Sequence, residues 1–593
     1  MTDGDAFLGV ARSACGRLWR QRAGDERLGL AISQRLGLPD LIGQLLAARG
    51  QDLDTAASYL EPRLRELMPD PAQFKDMDKA STRLADAIAG GEQIAIFGDY
   101  DVDGATSTAL LTRFLTQVGA KAPILYVPDR MKEGYGPNAA AMAVLKEQGA
   151  ALVITVDCGI TAFAPLEAAK ELGLDVLVVD HHVAEPRLPA AIAVVNPNRL
   201  DEPQGYGQLA AVGVAFMVIV AVNRALRQRG YYSDSRPEPD LLQWLDIVAL
   251  GTVADVVPLT GINRALVAQG LKVMAGRRNA GLVALSDVAR ITEKPSAYHA
   301  GFLLGPRVNA GGRVGRSDLG ARLLSTDDLM EARSIAAELD ALNTERRAIE
   351  TSVLEAAIAA AEAQAADSPY LICASGQGWH PGVIGIVAGR LKERYQRPAC
   401  VIALENGIGK GSGRSVSGLH LGNAVIAARE AGIIEKGGGH AMAAGFEVAE
   451  ARLPDLQAFL SSRFAGHMNG ESLVPVLDLD AAVQPRAATT EFVTSLERMG
   501  PFGAGNAEPR FVIPNVRLAF ADLVGGAHIR LQIEGADGTR MKAIAFRAAE
   551  NELGALLVTA KGQRLHLAGH LRRDTWQGRD SVQLIVEDAA LVG

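Results

Sequence analysis

Cysteine is scarce in this chain: four residues in 593, Cys15, Cys158, Cys373 and Cys400, with no paired spacing. That excludes a disulfide framework and a thiolate zinc site, and it suits a reducing cytoplasm. Long apolar runs are also missing. The best membrane candidate, residues 209–222, is 14 residues long; a bilayer span needs about 20, so it reads as a buried helix. Asp3 and Asp5 precede a short apolar patch and Arg12, Arg17 and Arg20 follow it, which is not the order of a signal peptide. A basic excess is absent as well: the net charge of −8 argues against a grip on nucleic acid by bulk electrostatics. There is no nucleophile elbow, phosphate-binding P-loop or dinucleotide-binding glycine fingerprint, and no internal repeat or low-complexity segment. Hydrophobic residues make up 48% and charged residues 22%, which at this length implies several folded domains and excludes extended disorder.

Four apolar runs stand out, at residues 93–97, 151–156, 174–179 and 191–195, and each ends in polar groups. They lead into Gly98-Asp99-Tyr100-Asp101-Val102-Asp103-Gly104, Asp157-Cys158-Gly159, Asp180-His181-His182 and Asn196-Pro197-Asn198. Continuous apolar runs are the mark of buried parallel strands, and open α/β sheets place their sites beyond the carboxyl ends of such strands. Helical stretches at 107–118 and 137–148 alternate with them, so the first domain is predicted to be doubly wound. A mostly helical stretch follows (241–251, 265–274), interrupted by irregular pieces at 255–258 and 305–316. Residues 328–366 hold no Gly or Pro; as a helix closed by Ser368-Pro369 they would span about 60 Å and join two domains. A second α/β unit begins at Tyr370, with Trp379-His380-Pro381-Gly382 opening a helix to Tyr395, a strand at 399–404, and glycine clusters at 409–415 and 437–440 that either let backbone N–H groups approach a phosphate, beside Arg414 and His440, or are tight turns. Beyond Val474, short alternating runs at 529–533, 541–546, 564–568 and 582–586 predict a small β-barrel. Residues 510–579 carry eleven Lys and Arg against six Asp and Glu, a local basic excess in an acidic chain.

Asp99, Asp101 and Asp103 fall within five residues after a strand, where their charges repel unless protonated or offset by cations. Gly98 and Gly104 let the backbone turn around whatever sits there. By itself this segment also reads as a calcium-like loop or a helix cap. With Asp157 and His181 added, carboxylates plus imidazole suit Mn²⁺ or Mg²⁺ better than zinc. Consecutive side chains diverge, so at most one of His181 and His182 is a ligand, with its neighbour left for substrate. Asp180 is placed to orient the imidazoles. Asp255 is a further carboxylate, or a helix cap.

In order, Asp-Tyr-Asp-x-Asp-Gly from Asp99, Val156-Asp157-x-Gly159-Ile160, Asp180-His181-His182, Val195-Asn196-Pro197-Asn198 and Gly251-Thr252-Val253-Ala254-Asp255 resemble the successive motifs of the DHH phosphoesterases. Further segments extend the resemblance nearly end to end, toward the bacterial single-strand-specific 5′ exonucleases of that family: residues 12–20 with Trp19, Asp129-Arg130-x-x-Glu133-Gly134-Tyr135-Gly136, Gly305-Pro306-Arg307-x-Asn309-Ala310-Gly311-Gly312-Arg313, and Gly500-Pro501-Phe502-Gly503-x-Gly505-Asn506.

The resemblance implies an α/β, parallel-sheet catalytic domain (79–327) preceded by an N-terminal helical segment packing on the core (1–78). A connecting helix (328–367) leads to a smaller α/β DHHA1 domain (368–468), and an OB-like barrel (469–593) ends the chain. It implies two ions, Mn²⁺ or Mg²⁺, on Asp101, Asp103, Asp157, His181 and Asp255, with Asp157 as bridge and Asp99 as ligand or loop-shaping residue. His182 would face the scissile phosphate. Arg130, Arg307, Asn309, Arg313, Arg414, Ser415 and His440 would bind substrate, and the barrel, with Phe502, Phe511, Phe520, Phe546 and Trp576, would track a strand. The implied activity is 5′ to 3′ degradation of single-stranded DNA to 5′ mononucleotides in repair and recombination, by a cytoplasmic monomer with no membrane contact that works beside a single-strand-binding protein or a helicase. The alternatives are a relative acting on short oligonucleotides or cyclic dinucleotides, and a non-catalytic single-strand-binding relative.

Overall fold

The computed structural model describes residues 6–130, 132–203, 205–364, 370–468, 475–574 and 581–592; Ser368, Pro369 and Trp576 lie outside them. The chain forms two units, Pro69–Asp255 with Gly270–Leu473, and Met1–Met68 with Val256–Gln269 and Val474–Gly593.

In the first of these, β1 (Ile94–Gly98), β2 (Ile124–Tyr126), β3 (Leu152–Val156), β4 (Asp175–Val179) and β5 (Ala193–Val195) make one sheet in the order β2-β1-β3-β4-β5, every pair parallel. β1 and β3 are buried at every position, which is why their sequences are continuous rather than alternating. Gly98 lies opposite Val156, and Val156 opposite Val179, so the polar segments that follow β1, β3 and β4 leave the sheet at one level. The strand order reverses between β1 and β3, the place where open sheets hold their ligands.

Helices α1 (Val102–Gln117), α2 (Ala211–Gln228), α3 (Leu245–Ala254), α4 (Gly305–Val314) and α5 (Leu329–Gln364) support that edge. Among the described residues α2 is the one helix long and apolar enough to cross a membrane; 72% of its apolar window is buried inside the unit, as in a core helix. Residues 305–314 are helical, not irregular as the sequence suggested, and a π-helical turn, His299–Leu304, leads into them. Their glycines had masked a helix that packs too closely for side chains. α5 buries Ile335 and Leu339 near its start, and Val353, Ala357 and Ala361 in a separate core further along, so it joins two subdomains as expected.

The second subdomain is a sheet of β6 (Ile372–Gln377), β7 (Ala399–Glu405), β8 (Ile408–Arg414), β9 (Lys436–Gly439) and β10 (Ala443–Ala449), ordered β9-β10-β8-β7-β6, with β6 and β7 its one parallel pair. Both glycine clusters thus lie in strands, which removes the alternative of two tight turns. The reason is packing: a Cβ on Gly411 would lie 2.1 Å from the Phe446 ring.

The other unit contains a closed five-stranded barrel. Strand Phe511–Val524 pairs with both His528–Glu534 and Arg564–Asp574, and Arg540–Ala545 and Ser581–Leu591 complete the circle. The first 68 residues group with this barrel, and Ile32, Ile42, Leu45 and Leu46 share a core with its Phe511, Ile513 and Leu531, whereas residues 69–78 belong to the unit of the parallel sheet. Phe511 is fully buried and cannot stack on a base, whereas Phe520 and Phe546 are exposed and Phe502 is half-buried. Six of the basic residues counted above, Arg510, Arg517, Arg530, Arg540, Lys542 and Arg572, are engaged in ion pairs, so the local excess is not a free basic groove.

Candidate active site

The loop after β1 turns into α1 at Asp101, whose Oδ1 accepts from Asp103 N (2.9 Å) and Gly104 N (3.1 Å), so Asp101 rather than Asp103 is the helix cap. Neither flanking glycine has a positive φ. Gly104 is needed for close approach, since a Cβ there would meet the Asp99 carbonyl oxygen at 2.4 Å. Asp103, 1% exposed, takes its hydrogen bonds from the first N–H groups of α2, Ala211 N (2.6 Å) and Val212 N (2.9 Å). Asp157 follows β3 with φ of 59°, a left-handed conformation that marks a constrained site. Asp255 caps the C-terminus of α3.

After β4, Asp180 is fully buried and satisfied on both oxygens: Oδ1 accepts from His181 N, His182 N and His182 Nδ1 (2.8 Å), and Oδ2 from Ile160 N. Burial alone would raise its pKa, but the hydrogen bonds and charge of His182 hold it below the ordinary carboxylate range. Burial disfavours the His182 cation, yet its bond to Asp180 and the surrounding carboxylates push its pKa up to about 9. Asp180 therefore orients one imidazole, not both. The ring of His181 is held by the carbonyl of Leu209, 3.0 Å from Nδ1. Because a carbonyl only accepts, Nδ1 carries the proton and the Nε2 lone pair faces Asp157 (3.3 Å), Asp255 (3.7 Å) and Asp103 (3.9 Å). Burial and the charge of His182 keep His181 below its usual pKa, hence neutral.

The residues fit divalent cations. Ligand atoms fall within 4.8 Å of one another in three sets, Asp99-Asp101-Asp157, Asp103-His181-Asp255 and Asp157-His181-His182, with Asp157 shared between two of them. Asp99 Oδ1 and Asp255 Oδ2 are buried with no hydrogen-bond partner. Burial, then the charge of Asp101, pushes Asp103 up to about 7; burial and the charges of Asp103 and Asp101 raise Asp255 to about 9; Asp99 and Asp157 rise well above the ordinary range for the same reasons. The imidazole lone pair and the carboxylates gathered in one pocket repel one another until cations offset them.

A cavity of about 240 Å³ opens over these groups, lined also by Tyr100, Arg130, Tyr135, Asn309 and Arg313. Arg130 lies 5.1 Å above the Tyr100 ring. Burial, then the nearby Arg130 charge, lowers Arg313 to about 10 and also depresses Arg414 and His380, and of these cationic groups Arg130 and Arg313 line the cavity with the acids. Asn309 accepts from Val102 N (3.2 Å) and Arg414 donates to Ser412 Oγ and Gly413 O. Two expected residues are engaged elsewhere. Arg307 pairs with Asp340 (2.8 Å) and donates to Leu303 O, tying α4 to α5, and Ser415 is 1% exposed with its hydroxyl donating to Leu419 O. His440 is exposed beside β9. Tyr135, absent from the expected site, donates to the Asp157 carbonyl (3.0 Å) and sits 3.4 Å from His182 Nδ1; its flanking glycines, both with positive φ, were the available signal.

Three family models match the chain: the DHH family N-terminal domain over residues 93–252, the DHHA1 domain over 367–466 and the RecJ OB domain over 479–588. The single-stranded-DNA-specific exonuclease RecJ of Dickeya dadantii (strain 3937) is 37% identical, covering 93% of this chain and 96% of that protein. The chain belongs to the RecJ family. RecJ of Escherichia coli (strain K12) is 36% identical over 96% of this chain and 98% of its own length. The crystal structure of RecJ in complex with Mn²⁺ from Thermus thermophilus matches with a TM-score of 0.80 at 28% identity, covering 96% of this chain and 79% of that one. The same RecJ with Mg²⁺ gives 0.74 at 26% identity, covering 96% and 78%. The DHH match contains Asp99, Asp101, Asp103, Asp157, Asp180, His181 and His182 but not Asp255, and the DHHA1 match contains Arg414.

Proposed function

We propose that the chain is a divalent-metal-dependent exonuclease that removes 5′ mononucleotides from the 5′ end of single-stranded DNA in repair and recombination. The observation that carries it is the pairing, in one small cavity, of a carboxylate-imidazole cluster with a cluster of arginines. Its membership of the RecJ family supports the choice of polymer.

In this reading Asp101, Asp103, Asp157, His181 and Asp255 hold two ions, Mn²⁺ or Mg²⁺, with Asp157 between them and Asp99 completing the acidic wall. Bound there, such ions lower the pKa of water and offset the charge of an in-line phosphoryl displacement. His181 offers Nε2 because the Leu209 carbonyl fixes its tautomer. His182, kept cationic by Asp180, contacts the scissile phosphate, and Tyr135 steadies both Asp157 and His182. Arg130, Arg313, Arg414 and Asn309 bind the substrate phosphates, while Arg307 and Ser415 position the segments that carry them. His440 contacts the strand, and so do the exposed barrel aromatics. The reading extends to a cytoplasmic monomer acting beside a single-strand-binding protein or a helicase.

The test is release of label from single-stranded DNA marked at either end, with Mn²⁺, against duplex DNA, dinucleotides and Asp157→Ala. Early release from the 5′ end, dependent on Asp157, is expected. Release from the 3′ end first, or full activity in Asp157→Ala, would overturn the proposal.

A further inference from the structure

A second cavity, of about 550 Å³, lies wholly within the unit of Met1–Met68, Val256–Gln269 and Val474–Gly593. Small-molecule sites usually measure about 300–1,000 Å³. Its charge is one-sided, because Arg22, Arg49 and Arg264 line it and no Asp or Glu does. Arg22 and Arg49 share a single carboxylate, Asp480, at 3.1 and 3.5 Å.

Arg264 is 3% exposed and has no carboxylate partner among the described residues. It donates to the main-chain carbonyls of Tyr59, Met499 (2.8 Å) and Gly500 (2.7 Å) and lies 4.0 Å above the Tyr59 ring, while its Nε has no acceptor. Carbonyls satisfy hydrogen bonds but supply no countercharge, and a buried cation without one is costly. Burial accordingly pulls the Arg264 pKa below its ordinary value. The helix Gly261–Ala275 begins at the same wall, with Thr260 and Gly261 lining the cavity and no acidic residue in its first turn, so its positive end is also unmatched. Ala48, Leu67 and Leu259 add apolar surface.

We propose that this cavity binds a phosphate group, carried by a nucleotide-sized phosphomonoester. A phosphate adds countercharge where Arg22 and Arg49 share one carboxylate and Arg264 has none, and meets a helix N-terminus at the same wall, and the apolar wall accepts a compact organic body. Backbone phosphate of a DNA strand has the same chemistry, so the experiment separates the two sources.

Arg264→Ala strands the carbonyls of Tyr59, Arg498, Met499 and Gly500 and risks misfolding, so the charge is changed at the rim. Ser58 lines the cavity half-exposed, its hydroxyl donating to Thr55 O at 2.9 Å. Binding of inorganic phosphate, 5′-dTMP and (dT)12 to the full-length protein is measured by calorimetry in EDTA for wild type, Ser58→Glu, Ser58→Lys, Arg49→Gln and, outside both cavities, Arg452→Gln at an exposed arginine paired with Asp455. The expected result is 5′-dTMP binding weakened at least about tenfold by Ser58→Glu and Arg49→Gln, tightened by Ser58→Lys and unmoved by Arg452→Gln. The opposite responses to the two Ser58 variants distinguish electrostatics from loss of structure. A response confined to (dT)12 keeps the phosphate site and assigns it to the strand. No binding by any probe, or affinities within twofold of wild type in all three cavity variants, overturns the proposal.

Discussion

Gly312→Ala drives a wedge between α4 and the acidic loop. A Cβ at 312 would stand 2.4 Å from the Tyr100 carbonyl oxygen and 3.0 Å from Tyr100 Cβ, and Tyr100 lies between Asp99 and Asp101. Restoring the 3.4 Å of ordinary contact requires a separation of roughly 1 Å. The same helix carries Asn309, which accepts from Val102 N at the start of α1, and Arg313 of the cavity wall, so the movement falls on the phosphate-facing groups and the acids together. Overpacking of this kind costs about 1–3 kcal/mol, and alanine in place of a helical glycine returns about 0.5–1 kcal/mol. The net loss of stability is therefore about 1–2 kcal/mol. The rate suffers more, since misplacing reacting groups by about 1 Å lowers turnover about 100-fold. The matched control is Gly389→Ala in the helix Ile384–Tyr395, where a Cβ meets nothing within 4 Å; it should stabilise by about 0.5–1 kcal/mol and leave the rate unchanged. Turnover of end-labelled single-stranded DNA with Mn²⁺, measured alongside thermal unfolding, decides the matter. A Gly312→Ala enzyme within threefold of wild type, or a Gly389→Ala enzyme equally impaired, would show that the contact of α4 with Tyr100 does not set the geometry of the site.

Asp246, 2% exposed, has its pKa raised to about 6 by burial, only partly countered by the N–H of Ile247. Because the folded value exceeds the unfolded value of 3.8, the stability this carboxyl contributes at low pH is lost as pH rises through about 6, a difference of about 3 kcal/mol. Asp246→Asn should therefore melt higher than wild type at pH 8, with the gap closing toward pH 4; a gap that widens on acidification would contradict this. Mn²⁺ added to EDTA-treated protein at about 100 times its Kd should stabilise it by about 2.7 kcal/mol, and Asp157→Asn should lose most of that increment, so an unchanged increment would remove Asp157 from the ligand set. Phe546→Ala, at a position 54% exposed, should weaken binding of a long deoxythymidine strand by about 1–3 kcal/mol without lowering the melting temperature. Phe511→Ala, at a fully buried position, should instead cost about 3–5 kcal/mol of stability; the reverse pattern would exclude Phe546 as a stacking platform.

The sheet and its acidic edge were legible because parallel strands buried on both faces leave unbroken apolar runs, and because carboxylates crowded after such runs have few structural uses. Four features were not. Helix α4 is hidden by glycines that serve close packing, and the glycine strand β8 by the Phe446 ring that fills the space above Gly411. The group that fixes His181 is a main-chain carbonyl, which has no residue identity to read. The grouping of the first 68 residues with the barrel depends on pairing across most of the chain, as in the parallel register of Leu18 with Val476, and no local pattern announces it.

That pairing orders events during synthesis. Arg20 waits for Asp478, 458 residues later, which at about 5–20 residues per second is about 20–90 s of translation. Throughout that interval Ile32, Ile42, Leu45 and Leu46 lack the barrel side of their core. The nascent N-terminus is thus an exposed apolar surface for as long as the rest of the chain is being made, a natural client for a holding chaperone. A truncation meant to remove only the barrel would freeze the protein in that unfinished condition; the first 68 residues have to be deleted with it.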